Sequence, residues 1–280
     1  MITNYIGTPE TARFSKVAKR LRTFFHKKKF IEVHTQDRLS ILAACEDPTT
    51  VATYEYAGEI WPLPQTGQMW LEYELLKAPD ISGVFCMSTS FRNESNPIPG
   101  RHKIIFPMFE FESKGTVDDL RLLEAELCEF LGFGNKKSFA HVEYEKAARE
   151  LKVQEISGVE EKELAKKHGP VVFLERFPIR TSPFWNMKVQ GTTANKIDVL
   201  LDGVETIGSA ERSSDVKRMR EQFHSISDGK YASLLYKLFG RKRVEVELED
   251  FLSLPFIPRY GGGIGMSRLM QAMETAGALS

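Results

Sequence analysis

The chain has 280 residues, 42% of them hydrophobic and 27% charged, with 38 basic residues balancing 38 acidic ones. That length and composition suit a globular protein able to bury a sizeable core, and no apolar run approaches the roughly 18 residues of a membrane span. Zero net charge argues against a protein whose main task is gripping a polyanion, because affinity for nucleic acid is driven by phosphate neutralisation.

Met1-Ile2-Thr3-Asn4-Tyr5 lacks the basic start and apolar stretch of a signal peptide. Cys45, Cys86 and Cys128 lie far apart with no metal-ligand spacing, which suits a reduced, cytoplasmic compartment. Residues 9–29 read as an amphipathic helix. Phe14, Val17, Ala18, Leu21, Phe24 and Phe25 recur at three- and four-residue steps, and basic residues from Arg13 to Lys29 occupy the other face. Those cations form either a solvated face or a nucleic-acid patch. Phe30 to Val33 reads as a short strand, and residues 34–64 as loops with short strands. Gln65 to Lys77 reads as a helix with Trp70, Leu71, Tyr73, Leu75 and Leu76 on an apolar face.

Val84 to Asn93 and Ile104 to Glu112 are β-rich runs flanking Ser95-Asn96-Pro97-Ile98-Pro99-Gly100, the pattern of a hairpin with a long loop. In the second run Phe109 and Phe111 alternate with Glu110 and Glu112, so the two carboxylates share one face. Thr116 to Phe133 reads as a helix with a Thr116–Asp119 capping box and a stripe of Leu120, Leu123, Leu127 and Leu131. The Lys- and Glu-rich residues 134–170 read as two solvent-facing helices, an insertion in a single domain spanning 1–280. Lys196 to Leu201 and Val204 to Ile207 flank Asp202-Gly203, a tight-hairpin signal. Residues 214–240 read as largely helical, and Val244 to Leu248 as strand or helix. The run Gly261-Gly262-Gly263-Ile264-Gly265 then leads into a final helix from Ser267 to about Met273.

The glycine run lets a backbone lie close to a ligand or a neighbouring strand. Arg268 at its end supplies a forked positive charge suited to phosphate. Arg92, with Arg101 and His102 across the loop, adds further donors of the kind phosphoryl and nucleotidyl transfers need. Phe106 presents a ring to a purine or to the core. Asp198 and Glu205, on the two arms of the Asp202-Gly203 hairpin, either share a divalent ion or are ordinary strand-edge charges. Arg92 is either a ligand clamp or a surface ion pair, and Glu110 and Glu112 either serve a site or face water.

Phe91-Arg92-Asn93-Glu94 with Arg101-His102, Phe106 and Glu110 resembles the second signature motif of class II aminoacyl-tRNA synthetases, and Gly261 to Arg268 resembles the third. Residues 9–35 stand in the place of the first, a dimerisation helix and strand. Thr66-Gly67-Gln68 with Leu71-Glu72, Phe106 to Glu110 and Glu205 to Arg212 are similar to the aspartate/asparagine branch. Gly261 to Leu269 also resembles the tRNA-independent asparagine synthetases derived from that branch.

The resemblance implies an α+β catalytic core with an antiparallel sheet flanked by helices, without the anticodon-binding domain. It implies ATP and Mg²⁺, an amino-acid substrate and a homodimer, with no membrane partner. Arg92 would hold the α-phosphate and Arg268 the γ-phosphate, Arg101 and His102 would cover the triphosphate, and Phe106 would stack on adenine. Asp198 and Glu205 would bind Mg²⁺. Gln68 and Glu110 would position the amino acid's α-groups, with Glu72 and Arg212 near its side chain. The chain departs from the pattern at several positions. The first motif lacks its proline in Ile31 to Gln36, Ile105 stands for a glutamate, Gly208 for a serine, and Ser182 and Leu71 for lysines. Losing two cations favours a neutral, asparagine-like side chain over a free aspartate.

The expected activity is adenylation of an aspartate/asparagine-type amino acid, with acyl transfer to ammonia, a small amine or another non-tRNA acceptor. The alternatives are a truncated synthetase that acylates tRNA or protein, and a non-catalytic regulatory paralogue.

Overall fold

The computed structural model describes residues 10–35, 48–78, 80–95, 97 and 103–279. Helix α1 (Thr11–Lys27) starts where the Glu10 carboxylate accepts hydrogen bonds from the Ala12 and Arg13 N–H groups. It stops before Lys29, whose φ of 65° leaves helical space, so it is shorter at both ends than the periodicity predicts. Its stripe of Val17, Ala18, Leu21, Phe24 and Phe25 is buried as expected. Strand β1 is only Ile31–Glu32. β2 (Thr53–Tyr56) and β3 (Glu59–Pro62) form a separate two-stranded ribbon. α2 (Gln68–Lys77) begins three residues later than the apolar pattern suggests, because Gln65 and Thr66 turn their side chains to Thr50 and Glu110 instead.

β4 (Gly83–Phe91) and β5 (Ile105–Lys114) form the expected hairpin. α3 (Val117–Leu131) carries the Thr116–Asp119 capping box and buries all four leucines of its stripe. The segment read as two solvent-facing helices is tied more closely into the fold. Within it β6 (Ala140–Glu143) pairs with the main sheet, α4 (Tyr144–Leu151) buries Tyr144, Ala147 and Ala148, and α5 (Gly158–His168) buries Leu164. β7 (Val171–Pro178) and β8 (Val189–Gln190) went unread in the sequence. β9 (Thr193–Leu201) and β10 (Val204–Arg212) flank Asp202 and Gly203, with φ of 51° and 74°. Two consecutive positive φ values are what a two-residue primed turn requires. A Cβ on Gly203 would also lie 2.8 Å from the Lys162 Cα.

α6 (Val216–Ser225), α7 (Lys230–Phe239) and α8 (Arg241–Leu252) follow, so residues 244–248 are helical. β11 (Arg259–Gly265) and α9 (Met266–Thr275) close the described chain. The main sheet runs β1-β4-β5-β11-β10-β9-β7-β6, with β8 alongside β9. Its centre is antiparallel, and among the described residues only the outer pairs β1–β4 and β6–β7 are parallel. This is the α+β sheet flanked by helices that the motifs imply.

The two faces of the sheet differ because side chains alternate along each strand. Phe109, Phe111, Ile197, Val199, Ile207 and Ile264 pack with α1, α3 and α9 into the largest core. Fully burying a residue of this kind contributes roughly 1.5–3 kcal/mol, so this face fixes strand register. A second core gathers Trp185, Phe223, Tyr231 and Phe251 from α6–α8 and their approach, and includes Met69 and Ala210 beside the opposite face. That opposite face carries the polar residues. Among the described residues no helix is long and apolar enough to cross a membrane.

Candidate active site

Register brings the motif residues onto the second face. Ser90 is paired with Phe106, Cys86 with Glu110, Glu110 with Gly263, and Glu112 with Gly261. Glu110 and Glu112 do not face water; both are fully buried. Buried carboxylates persist only when hydrogen-bonded, and Glu110 is held three ways. Its Oε2 accepts from the Gly67 N–H at 2.8 Å and from the Ser88 hydroxyl at 2.5 Å, while its Oε1 accepts from the Thr66 hydroxyl. It thereby pins the loop that leads into α2 and sets where Gln68 projects.

Glu112 sits deeper. Its Oε1 accepts two hydrogen bonds from Arg212, one from Nε at 3.0 Å and one from Nη2. Its Oε2 finds no hydrogen-bond partner among the described residues. Burial pushes its carboxyl up to about 8, against the opposing pull of Arg212. Arg212 Nη2 also donates to Gln68 Oε1 at 2.7 Å, and its Nε lies 3.6 Å from Glu72 Oε1. Glu72 is fully buried. Asn186 donates to its Oε1 at 2.5 Å, and Arg259 donates twice to its Oε2, at 2.9 and 2.7 Å. Arg259 is itself fully buried and gives a further hydrogen bond to the Ser213 carbonyl at 2.9 Å.

The glycines of β11 are what make this arrangement possible. A Cβ at Gly261 would fall 2.0 Å from the Glu112 carboxyl carbon, and one at Gly263 would fall 2.9 Å from Gln68 Nε2. Gly262 points to the apolar face, where a Cβ would meet Ser209 Cβ at 2.7 Å. The glycine run therefore makes room for buried polar side chains of the site.

Toward the other end of the same strands lie the phosphate candidates. Arg268, on the first turn of α9, donates to the Glu205 carbonyl at 2.7 Å and lies 3.7 Å from its carboxylate. A Cβ on Gly208 would stand 3.1 Å from Glu205 Oε1 and 3.7 Å from Asp198 Oδ1. The two carboxylates thus lean toward one spot that a serine side chain would occupy. Among the described residues no cluster of three or more metal-ligating side chains exists. A carboxylate pair is nevertheless a donor set that fits Mg²⁺, which takes one or two carboxylates and fills its octahedron with water and phosphate oxygens. Lys196 Nζ lies 3.4 Å from Asp198 Oδ2, so a cation already balances this carboxylate.

Arg92 follows β4, with its guanidinium 5.9 Å from the Phe106 ring centroid and its Nε 3.4 Å from the Ser90 hydroxyl. Phe106 is half-buried, so one expected platform and one expected phosphate ligand are neighbours. Arg101 and His102 lie outside the described residues. The structure therefore brings Gln68, Glu72 and Arg212 into one buried network and places Glu110 beside it. Asp198, Glu205 and Arg268 form a second group, and Arg92 with Phe106 a third on the same sheet. Sequence reasoning missed Arg259 and Asn186 and gave Glu112 no role. An arginine two residues before a glycine run, and a second glutamate in step with Glu110, were the available signals; Asn186 had none.

A family model described as tRNA synthetases class II (D, K and N) matches residues 11–278. The asparagine–tRNA ligase of Pelotomaculum thermopropionicum is 25% identical across 95% of this chain and 66% of its own length. The aspartate–tRNA(Asp) ligase of Pyrococcus horikoshii is 25% identical across 94% of this chain and 64% of its own. The chain thus spans just under two thirds of both relatives. In fold it is similar to the Pyrococcus horikoshii asparaginyl-tRNA synthetase complexed with asparaginyl-adenylate, with a TM-score of 0.75 and 20% identity over 98% of this chain and 68% of that one.

Proposed function

The chain belongs to the class II tRNA synthetases of the D, K and N group, and from that premise we propose that it is an ATP- and Mg²⁺-dependent, AMP-forming ligase that adenylates an amino acid of the aspartate/asparagine type. The observation that carries the reading is the convergence of Asp198 and Glu205 on the space left by Gly208, beside Arg268 and on the same sheet face as the Arg212 pocket. Asp198 and Glu205 would hold Mg²⁺, which supplies charge neutralisation on the triphosphate when bound. Arg268 would take the γ-phosphate end. Arg92 would stabilise charge developing on the α-phosphate as the amino acid's carboxylate oxygen attacks phosphorus and pyrophosphate leaves. Phe106 would stack on the adenine, and Arg101 and His102 would cover the triphosphate. Gln68 and Glu110 would orient the amino acid's α-groups, and Arg212 would meet its side chain.

The acceptor we propose is ammonia, a small amine or another non-tRNA nucleophile. Zero net charge supports this. So does the use made of the basic helix. Arg13 pairs with Glu274, Arg22 with Glu32 and Lys28 with Glu126, while Lys16 and Arg20 donate to carbonyls at Leu279 and Ala278. Cations engaged inside the molecule make a poor phosphate-binding stripe. A homodimer through the edge strand β1, where Ile31 is 47% exposed, belongs to the same reading.

Amino-acid-dependent exchange of pyrophosphate into ATP tests the activity. Exchange is expected with asparagine or aspartate, and silence with every standard amino acid would refute adenylation. Arg92→Ala should abolish exchange. The tRNA-acylating alternative has the relatives' names in its favour, and it predicts tRNA binding that falls steeply with salt in filter assays.

A further inference from the structure

Counting by twos along β10 would put Glu205 on the apolar face with Ile207 and Ser209, yet its carboxylate stands on the other. A Cβ on Gly208 would lie 3.1 Å from Glu205 Oε1 and 3.7 Å from Asp198 Oδ1. The cause is a β-bulge. Glu205 is paired with Leu200 and Ile207 with Val199, so Thr206 is an extra residue in the strand and turns Glu205 over to the Asp198 side. A bulge takes backbone groups out of the ladder, and such groups need other partners. Pairing of β10 with β11 begins at Ile207, so β11 does not reach Glu205. Two side chains hold its backbone instead. Arg268 Nη1 donates to the Glu205 carbonyl at 2.7 Å, and the Glu205 N–H donates to Glu161 Oε2 at 3.3 Å. Glu161 stands on the first turn of α5, in the Lys- and Glu-rich segment between the second and third motifs. The same helix seats the hairpin turn, because a Cβ on Gly203 would come 2.8 Å from Lys162 Cα and 3.3 Å from Ala165 Cβ.

We infer that Glu161 is a positioning residue for the divalent-cation site: by accepting the Glu205 N–H it holds the bulge in the shape that aims the Glu205 carboxylate toward Asp198. It is not itself a ligand, since among the described residues no three metal-ligating side chains meet. This assignment rests on the reading of Asp198 and Glu205 as the Mg²⁺ ligands, and adds to it a residue outside the motifs. Arg268 is the reason a second tether matters. A guanidinium redirected to a γ-phosphate loosens its hold on the Glu205 carbonyl, and Glu161 then keeps the backbone in place while the cation is bound. A carboxylate on the first turn of a helix is also favoured by the helix dipole, so Glu161 keeps its charge there without a metal.

The test titrates Mn²⁺, an oxygen-seeking octahedral stand-in for Mg²⁺, into the intact protein and follows the EPR signal of the free ion. Asp198→Asn should remove the binding and serves as the reference for the site. Glu161→Ala should weaken Mn²⁺ binding about three- to tenfold, the worth of one hydrogen bond. Glu161→Gln keeps an acceptor oxygen in the same place and should recover the affinity to within about twofold. Amide hydrogen exchange supplies a readout free of metal and of activity. The Glu205 N–H should exchange about three- to tenfold faster in Glu161→Ala and at the unaltered rate in Glu161→Gln. A merely structural contact would lower stability in urea unfolding and leave the Mn²⁺ affinity of the folded protein unmoved. A long-range effect of the Glu161 charge would make Glu161→Gln bind as weakly as Glu161→Ala. Either result overturns the inference while leaving the cation site standing. If the unaltered protein binds no Mn²⁺, or Asp198→Asn binds it equally well, the cation-site reading fails and the inference falls with it.

Discussion

Replacing Gly261 by alanine adds one methyl group where the structure has no room for it. The new Cβ would lie 2.0 Å from both the Glu112 carboxyl carbon and its Oε1, and 2.4 Å from Oε2. A carboxylate is the mobile end of a side chain and would ordinarily step aside. Glu112 cannot do so without breaking both hydrogen bonds to Arg212, which would leave a buried guanidinium short of its main acceptor. Losing charge-assisted hydrogen bonds costs about 1.5–3 kcal/mol, and overpacking a core adds about 1–3 kcal/mol. A loss of roughly 3–5 kcal/mol follows, which for a chain of this size corresponds to about 6–15 °C in Tm.

Gly265→Ala is the matched control. Its Cβ would come no closer than 3.7 Å to any atom, so it should stay within about 0.5 kcal/mol. Urea unfolding of both variants gives the comparison. The sharper measurement places Gly261→Ala on a Glu112→Ala background, where the clash is gone and the methyl group should cost little. If the two substitutions instead add their full costs, the clash with Glu112 is not the reason for the glycine.

Three further outcomes follow from the buried charges. Glu112, raised to about 8, stabilises the fold fully below about pH 4.5 and loses that contribution as pH climbs through 8, so Glu112→Gln should flatten the decline of stability over that window in pH-dependent unfolding. Glu124 on α3 is fully buried, and desolvation holds its carboxyl well above the ordinary range; Glu124→Gln should therefore gain stability relative to the unaltered protein as pH rises from 5 to 9. Burial pushes Glu175 up, but hydrogen bonds from His141 and Arg121 outweigh it and hold the carboxyl low. Its contribution is thus present above about pH 4.5 and lost on acidification, and Glu175→Gln should cost about 2–3 kcal/mol at pH 7 in denaturant melts, and less at pH 3.

Features set by local chemistry were legible from the sequence. Asp202-Gly203 could be read as a turn because its positive φ values depend on those two residues, and α3 because its cap and its leucine stripe lie within one segment. Features set by distant partners were not. β7, buried between β6 and β9, opens on a four-residue apolar run, Val171 to Leu174, with no alternation to separate a strand from a helix. The segment from 134 onward reads as solvent-facing on composition, yet Val142 and Tyr144 pack on Leu174 and Leu200, which arrive later in the chain. In the site, alternation placed Glu110 and Glu112 on one face but could not say whether that face met water. The covering groups, Gln68 and Arg212, come from elsewhere. Arg259 was hidden for a related reason. Its partner Glu72 lies 187 residues away, and Arg259 alone reads as an ordinary surface charge.

The arrangement of the strands also bears on the proposed chemistry. Gly208 and Arg212 both lie on β10 and, being four residues apart, share a face. At about 3.3 Å per residue the carboxylate pair at one end and the guanidinium at the other are separated by roughly 13 Å. An amino acid whose carboxylate attacks a phosphate needs a site of about this length, with cation and phosphate ligands at one end and side-chain recognition at the other. Such a span along a single strand is rigid, because the opposite face of β10 is locked into the core through Ile207 and Ser209. The glycines of β11 then keep the middle of this track shallow. Gly261 and Gly263 carry no side chain above the sheet, so the Glu112 carboxylate and the Gln68 amide lie directly against main chain there and line the track. Substitutions at Gly263 should accordingly weaken binding of the amino acid more than of ATP, because a Cβ there meets Gln68 Nε2 at 2.9 Å and lies away from the Asp198–Glu205 end.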